Sequence, residues 1–250
     1  MPTLALVVIA CDEERDLPRC LDSVPFATEK IVVDSGSRDR TRELAREHGA
    51  RVIEQSWLGF GPQKAFAFQQ TQSDWILNLD ADEALSPELA AQIPGAIERG
   101  DVDGYWLPFR SEFFGKTLRF GGLGGERHLR LFRRERGRVA ERSVHEGVEV
   151  TGRVEELSGR VSHRSYADVA EYLQKLDRYT TLAAKARFEA KRRPSTITGL
   201  KVAWAFWRRY LLQLGFLDGY PGFVHAALSA FYELVREAKL RELNEATPPP

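Results

Sequence analysis

The sequence predicts an α/β fold with a mainly parallel central sheet, followed by a helical, aromatic-rich C-terminal extension. Three observations carry this. Short apolar runs alternate with helically spaced apolar residues through the first half of the chain. The acidic residues of that half gather directly after the runs. Beyond Tyr166 the alternation stops and long helical patterns take over.

Leu4–Ala10, Ile31–Val33, Arg51–Glu54 and Trp75–Leu79 are short apolar or β-branched stretches suited to buried strands. Between the first two, Leu17, Cys20, Leu21 and Val24 recur at helical spacing; between the next two, Thr41, Leu44, Ala45 and His48 do the same. Strand and helix in this alternation imply parallel βαβ units, whose handedness leaves few topologies. From about Asp101 the pattern changes. Tyr105–Phe109 and His128–Phe132 read as strands, separated by a stretch holding the glycine-rich loop Gly121 to Gly125. After Tyr166 a long helix is expected, with Val169, Tyr172, Leu173, Leu176, Tyr179 and Ala183 on one face, and beyond Pro194 aromatic and aliphatic residues crowd together. The expected division is a catalytic α/β domain over residues 1–165, a helical extension over 166–246 and a disordered tail over 247–250.

Composition excludes some functions. The 250 residues carry 36 basic and 36 acidic side chains, so the basic field of a nucleic-acid binder is missing. The two cysteines, Cys11 and Cys20, fit a reduced compartment better than a disulfide scaffold. The opening residues lack a basic leader, and no segment reaches the roughly 18 apolar residues of a spanning helix. A cytoplasmic protein is expected, at the cytoplasmic face of an inner membrane if its aromatic C-terminal segment touches lipid.

Ligand sites of parallel sheets lie at the carboxyl ends of the strands. Asp12, Glu13 and Glu14 follow the first run, Asp34 the second, and Asp80, Asp82 and Glu83 the fourth, which points to one shared polar site. In Leu79-Asp80-Ala81-Asp82-Glu83, two carboxylates at i and i+2 beyond a buried strand can reach one hard cation shared with a diphosphate. An acidic turn alone also has a bland reading; the helix start Ser86-Pro87-Glu88 sharpens the signal. In Asp34-Ser35-Gly36-Ser37-Arg38-Asp39-Arg40-Thr41, a turn and a helix cap explain Ser37 and Asp39, whereas Asp34 could accept hydrogen bonds from a base or ribose.

Together these stretches resemble glycosyltransferase family 2, whose members share the GT-A nucleotide-sugar-binding fold. The family's opening Asn-Glu reads Asp12-Glu13 here, with Asp in place of Asn. Gly59 to Lys64, Glu126 to Phe132, Val144-His145-Glu146, His163 to Tyr166 and Gly215 to Gly222 resemble the branch that extends the inner core of lipopolysaccharide. The resemblance implies an inverting transfer of a hexose, glucose favoured, from a UDP-sugar to a hydroxyl of an anionic glycolipid. It implies that Glu13, Asp34, Lys64 and Asp80 bind the donor, and that Asp82, Asp80 and His163 hold Mn²⁺ or Mg²⁺. It also implies that Glu146 is the base and that Arg127 and Arg130 meet the acceptor, within a basic cluster that includes Arg133 and Arg134.

Each role has a plainer alternative. Lys64 could be a solvated lysine, Glu146 a surface residue beside Glu141 and Glu149, and His163 a structural histidine. The segment from Leu200 to Tyr232 could pack on the first domain or, with Lys201, Arg208 and Arg209, lie in a membrane interface. A nucleotidyltransferase would carry a phosphate loop after its first strand, and Cys11 to Glu14 is no such loop. A non-catalytic nucleotide- or glycan-binding module on the same fold is the remaining alternative, against which Asp80, Asp82 and Glu146 stand intact.

Overall fold

The structure is a computed structural model that describes residues 1–113, 115–140, 147–166 and 168–246. The chain divides into two compact units, Met1–Phe109 with Gly125–His163, and Arg110–Gly124 with Arg164–Pro250.

The first unit opens with β1 (Leu4–Ala10), α1 (Leu17–Asp22), β2 (Glu29–Asp34), α2 (Thr41–Glu47), β3 (Arg51–Glu54), α3 (Phe60–Phe68) and β4 (Trp75–Asp80). β1 pairs in parallel with β2 on one side and β4 on the other, and β2 pairs in parallel with β3. The register sets Ala10 opposite Asp34 and Ile9 opposite Asp80, so the carboxylates closing β2 and β4 stand level across β1. β1 is apolar throughout because both its faces are covered. Leu4, Leu6 and Val8 enter one core with Leu17, Leu21 and Ala45 of α1 and α2, while Ala5 and Val7 enter another with Ala67 of α3.

β5 (Glu83–Leu85) follows the acidic turn and leads into α4 (Pro87–Glu98), where Ser86 accepts a hydrogen bond from Leu89 N at the expected start. β6 (Gly104–Phe113) and β7 (Lys116–Thr117) come next; the end of β6 and all of β7 belong to the second unit. β8 (Arg127–Arg133) returns to the first unit and runs antiparallel between β4 and β6. β9 (Gly137–Val139) and β10 (Val148–Val150) form a separate antiparallel pair, and β11 (Val154–Glu156) adds in parallel to β6. β12 (Val161–Tyr166) pairs antiparallel with β5 and sets His163 opposite Glu83.

α3 and β5 are among the elements that the sequence patterns do not announce. α3 contains Gly61 and Pro62 in its first turn, residues that obscure a helical pattern, yet Pro62 lies where its missing N–H costs nothing. β5 is three residues long, too short for periodicity to reveal.

The second unit is built on α5 (Val169–Glu189), α6 (Thr198–Trp207) and α7 (Gly219–Ala246). A π turn over Arg208–Leu212 and a 3₁₀ turn over Gly215–Asp218 join α6 to α7. Phe113, Leu118, Tyr172 and Leu176 form its core, packed by Val224, Leu228, Tyr232 and Val235 of α7. Gly121 and Gly122 have positive φ, and the loop is fixed within this unit: Gly121 N donates to Gln213 O, and Arg209 Nη1 donates to Gly121 O at 3.0 Å.

Candidate active site

Two loops at the carboxyl ends of β1 and β2 are stapled together. Asp12 N donates to Ser37 Oγ at 2.9 Å, Glu13 N to Thr41 Oγ1 at 2.7 Å and Glu14 N to Asp39 Oδ2 at 3.1 Å. In return Arg38 N donates to Asp12 Oδ1 at 2.7 Å and Arg40 N to Glu14 Oε2 at 3.0 Å. Asp12 has φ of 57°, a left-handed conformation that Asp and Asn tolerate better than other residues with a side chain. Asp34 is fully buried and accepts from Gly36 N and Ser37 N, each at 3.1 Å, and from the Ser37 hydroxyl. Its carboxylate thus shapes the turn that the Glu13 loop is fastened to.

The acidic turn after β4 is a charge cluster. Asp80 receives Lys64 Nζ at 2.8 Å on one oxygen and Arg130 Nη2 at 2.8 Å on the other. Arg130 Nη2 also donates to Glu83 Oε1 at 2.5 Å, and its Nη1 donates to Asn78 Oδ1 at 3.3 Å. Burial opposes ionisation of Asp80, but the charges of Arg130 and Lys64 outweigh it and hold its carboxyl well below the usual range. Glu83 shares the same arginine from a fully enclosed position. Burial and the neighbouring charge of Asp80 outweigh Arg130 there, and push its carboxyl up to about 7. The proton of this trio therefore resides on Glu83 before Asp80.

Asp82 turns to the other side of the loop, where its Oδ2 lies 3.3 Å from His163 Nε2. Burial disfavours charge on the His163 ring, yet the hydrogen bond and charge of Asp82, with Glu83 and Asp80 behind, lift its pKa to about 9. Arg19 of α1 fixes the turn from below, donating to Asp82 O at 2.6 Å and to Ser162 Oγ at 3.2 Å. A cleft of about 200 Å³ opens beside the cluster, lined by Lys64, Asp80, Trp106, His128, Arg130 and Gly147 among others.

Carboxylate oxygens with one imidazole form a donor set that suits Mn²⁺ or Mg²⁺. The fit is good at Asp82 and His163, which face each other at 3.3 Å, once the imidazolium proton is lost. Asp80 can join them by releasing Lys64 or Arg130. Among the described residues, no three His, Cys, Asp or Glu side chains already converge as a closed cation site.

The structure brings Lys64, Asp80, Asp82, Arg130 and His163 to one strand edge, with Glu13 and Asp34 on the neighbouring loops. Glu146 lies outside the described residues. Arg127 is exposed, pairs with Glu156 at 2.7 Å and lies over the Trp106 ring. Arg130, expected to meet the acceptor, lines the cleft, and its buried guanidinium is directed to Asp80, Glu83 and Asn78, because β8 points it at the acidic turn. Arg133 and Arg134 leave the cluster altogether. They sit at the opposite end of β8, where Arg133 donates to Val102 O and Arg99 O and Arg134 to Ser73 O. The sequence placed Glu83 in the shared polar site without a particular role, and gave none to Asn78 or Arg19. The signal for the first two was a polar residue inside, and another just after, an otherwise apolar strand; Arg19 gave none.

The α/β sheet, with paired loops at the carboxyl ends of β1 and β2 and an acidic turn facing a histidine, has a GT-A-like arrangement. The model of glycosyl transferase family 2 matches residues 5–150, and the chain belongs to that family. It is 29% identical over 262 residues to an uncharacterized glycosyltransferase of Rickettsia typhi, spanning 98% of this chain and 88% of that one. It is also 29% identical over 246 residues to the lipopolysaccharide core biosynthesis glycosyltransferase LpsC of Rhizobium meliloti, spanning 95% and 91%. Among solved structures, S. aureus TarS 1–349 in complex with UDP-GlcNAc matches with a TM-score of 0.51 at 13% identity, covering 98% of this chain and 91% of that one. That last likeness is one of fold.

Proposed function

We propose that this glycosyltransferase moves a hexose, glucose favoured, from a UDP-sugar to a hydroxyl of an anionic glycolipid such as the lipopolysaccharide inner core, with inversion at the anomeric carbon. The observation that carries the reading is the acidic turn after β4, which sets Asp80 against Lys64 and Asp82 against His163. The likeness to LpsC over nearly the whole chain supports the acceptor class.

In this reading Glu13 and Asp34 border the nucleoside, Asp34 through the turn it holds. Asp82, Asp80 and His163 would hold a divalent cation, Mn²⁺ or Mg²⁺, which would supply Lewis-acid stabilisation of the departing diphosphate. Lys64, its ammonium on Asp80, is placed to turn to a phosphate oxygen when the donor arrives. Glu146 takes the proton of the acceptor hydroxyl, which is a poor nucleophile until a carboxylate accepts that proton. Gly147, the next residue along the chain, lines the cleft. Arg127 is the better placed of the two arginines for an acceptor phosphate, since Arg130 already answers two carboxylates.

Calorimetric titration with UDP, GDP and CDP, each with Mn²⁺ and then with EDTA, tests the reading. Metal-dependent binding of UDP alone is the expected result. Preference for another diphosphate would redirect the donor, and no binding by folded protein would favour a non-catalytic module.

A further inference from the structure

We infer that the outer face of α6 and of the turns that follow it is a docking surface for an anionic lipid bilayer, on which the protein lies without crossing it. Helix α6 is apolar on two faces. Its inner face packs: Phe206 stacks on Tyr210 at 5.4 Å, and both rings meet Phe223 of α7, at 5.8 and 5.9 Å. The outer face carries Ile197, Leu200, Trp204, Trp207 and Leu211, three or four residues apart and all exposed, Leu200 to 68% and Trp204 to 59%. The 3₁₀ turn adds exposed Phe216 and Leu217. A contiguous apolar face of this kind marks a contact with a partner or a membrane.

Charge decides between them. From Ala190 to Leu217 the chain has six cations, Lys191, Arg192, Arg193, Lys201, Arg208 and Arg209, and no carboxylate. The next acid, Asp218, turns inward to accept from the backbone of Arg119 and Phe120. Arg209 is turned inward to Gly121 O, and Lys201 lies 3.9 Å from Glu237. Lys191, Arg192, Arg193 and Arg208 remain exposed in the same segment as the stripe. A second copy of this chain would bring these cations face to face, which is unfavourable, whereas an anionic surface would neutralise them. Indole rings favour the membrane–water boundary, and among the described residues no helix is long and apolar enough to cross a membrane. An amphipathic segment lying in the interface satisfies all of these.

This surface deepens the glycolipid reading and rests on it for its purpose, but its test needs neither donor nor acceptor, so the two can fail separately. The full chain is co-sedimented with vesicles of phosphatidylcholine, with and without phosphatidylglycerol, while tryptophan emission is followed with brominated acyl chains as quencher. We expect partitioning roughly tenfold or more stronger on the anionic vesicles, weakened by salt, with a blue-shifted and quenched emission. Trp204→Ser with Trp207→Ser, and separately Arg192→Gln with Arg193→Gln and Arg208→Gln, should each weaken it about tenfold. All five side chains are exposed, so unchanged melting and UDP binding are expected of both variants. No partitioning by the parent chain, or partitioning that neither variant alters, would overturn the proposal. So would a concentration-dependent dimer in sedimentation velocity that the tryptophan variant abolishes.

Discussion

Replacing Arg130 by Met should destabilise the first unit, and the structure sets the size of the effect. The guanidinium is the shared partner of Asp80, at 2.8 Å, and Glu83, at 2.5 Å, so its removal leaves two carboxylates with less compensation. Breaking a buried pair from one side costs about 3–5 kcal/mol. Here Glu83, already titrating near 7, can take up a proton, and Asp80 retains Lys64 at 2.8 Å. The loss at neutral pH should therefore lie at the low end, about 3 kcal/mol, or about 6–12 °C in Tm for a chain of this size. The pH dependence is a sharper test. Glu83 is raised from 4.5 to about 7 in the folded protein, so the folded state binds its proton more tightly than the unfolded one. Its contribution is therefore fully present below 4.5 and is lost as pH rises towards 7. Without Arg130 the folded value rises further and the decline should extend above pH 7. Adding Glu83→Gln should flatten it. Urea and thermal unfolding followed by circular dichroism between pH 6 and 9 would measure both effects. An Arg130→Met variant melting within about 2 °C of the parent, or a slope that Glu83→Gln leaves unchanged, would refute the assignment of Arg130 as the balancing charge of the acidic turn.

Asp82→Ala should abolish sugar transfer while leaving the far-ultraviolet spectrum unchanged; full turnover would remove Asp82 from the metal set. Glu146→Gln should bind UDP with parental affinity and lose turnover by a factor of about 10² or more, read in a radiolabelled-donor assay. Thr41→Val removes both the acceptor of Glu13 N and the donor to Asp39 and should cost about 1–3 kcal/mol, with weakened UDP binding measured by calorimetry. His225, whose ring nitrogens have no hydrogen-bond partner among the described residues, is lowered to about 4 by burial and by Arg209. Its contribution is present above its ordinary 6.5 and lost as pH falls towards 4, about 3 kcal/mol in all. His225→Leu should remove that acid sensitivity in unfolding titrations at little cost at pH 7.

Much of the fold was legible because β1, β2 and β4 are covered on both faces and so read as near-continuous apolar runs. The acidic residues could be placed at one edge because parallel strands share a carboxyl end. What stayed hidden depended on long-range geometry. Arg130 alternates along β8 with residues whose pattern says only that it shares a face, and nothing local says that β8 lies beside β4, so that this face looks onto Asp80 and Glu83. Arg133 and Arg134 are near Arg130 in sequence, but a strand advances about 3.3 Å per residue, enough to carry them away from the cluster. Asp34 reads from the sequence as a ligand-facing carboxylate, and what the sequence does not show is how fully its own turn engages it.

The parallel register also acts as a ruler. Asp34 and Asp80 stand on strands either side of β1, level with Ala10 and Ile9, so two strand spacings, about 10 Å, separate their backbones. That interval is set by main-chain hydrogen bonds and cannot be tuned by exchanging side chains. If the donor lies as proposed, a change of donor must therefore be written into the loops at the two ends of this interval, the stapled pair after β1 and β2 and the acidic turn after β4. On the proposed placement of the nucleotide, attempts to retrain the protein towards another nucleotide have most to gain at Asp12 to Glu14 and at Ser35 to Thr41, and least within the strands that hold them apart.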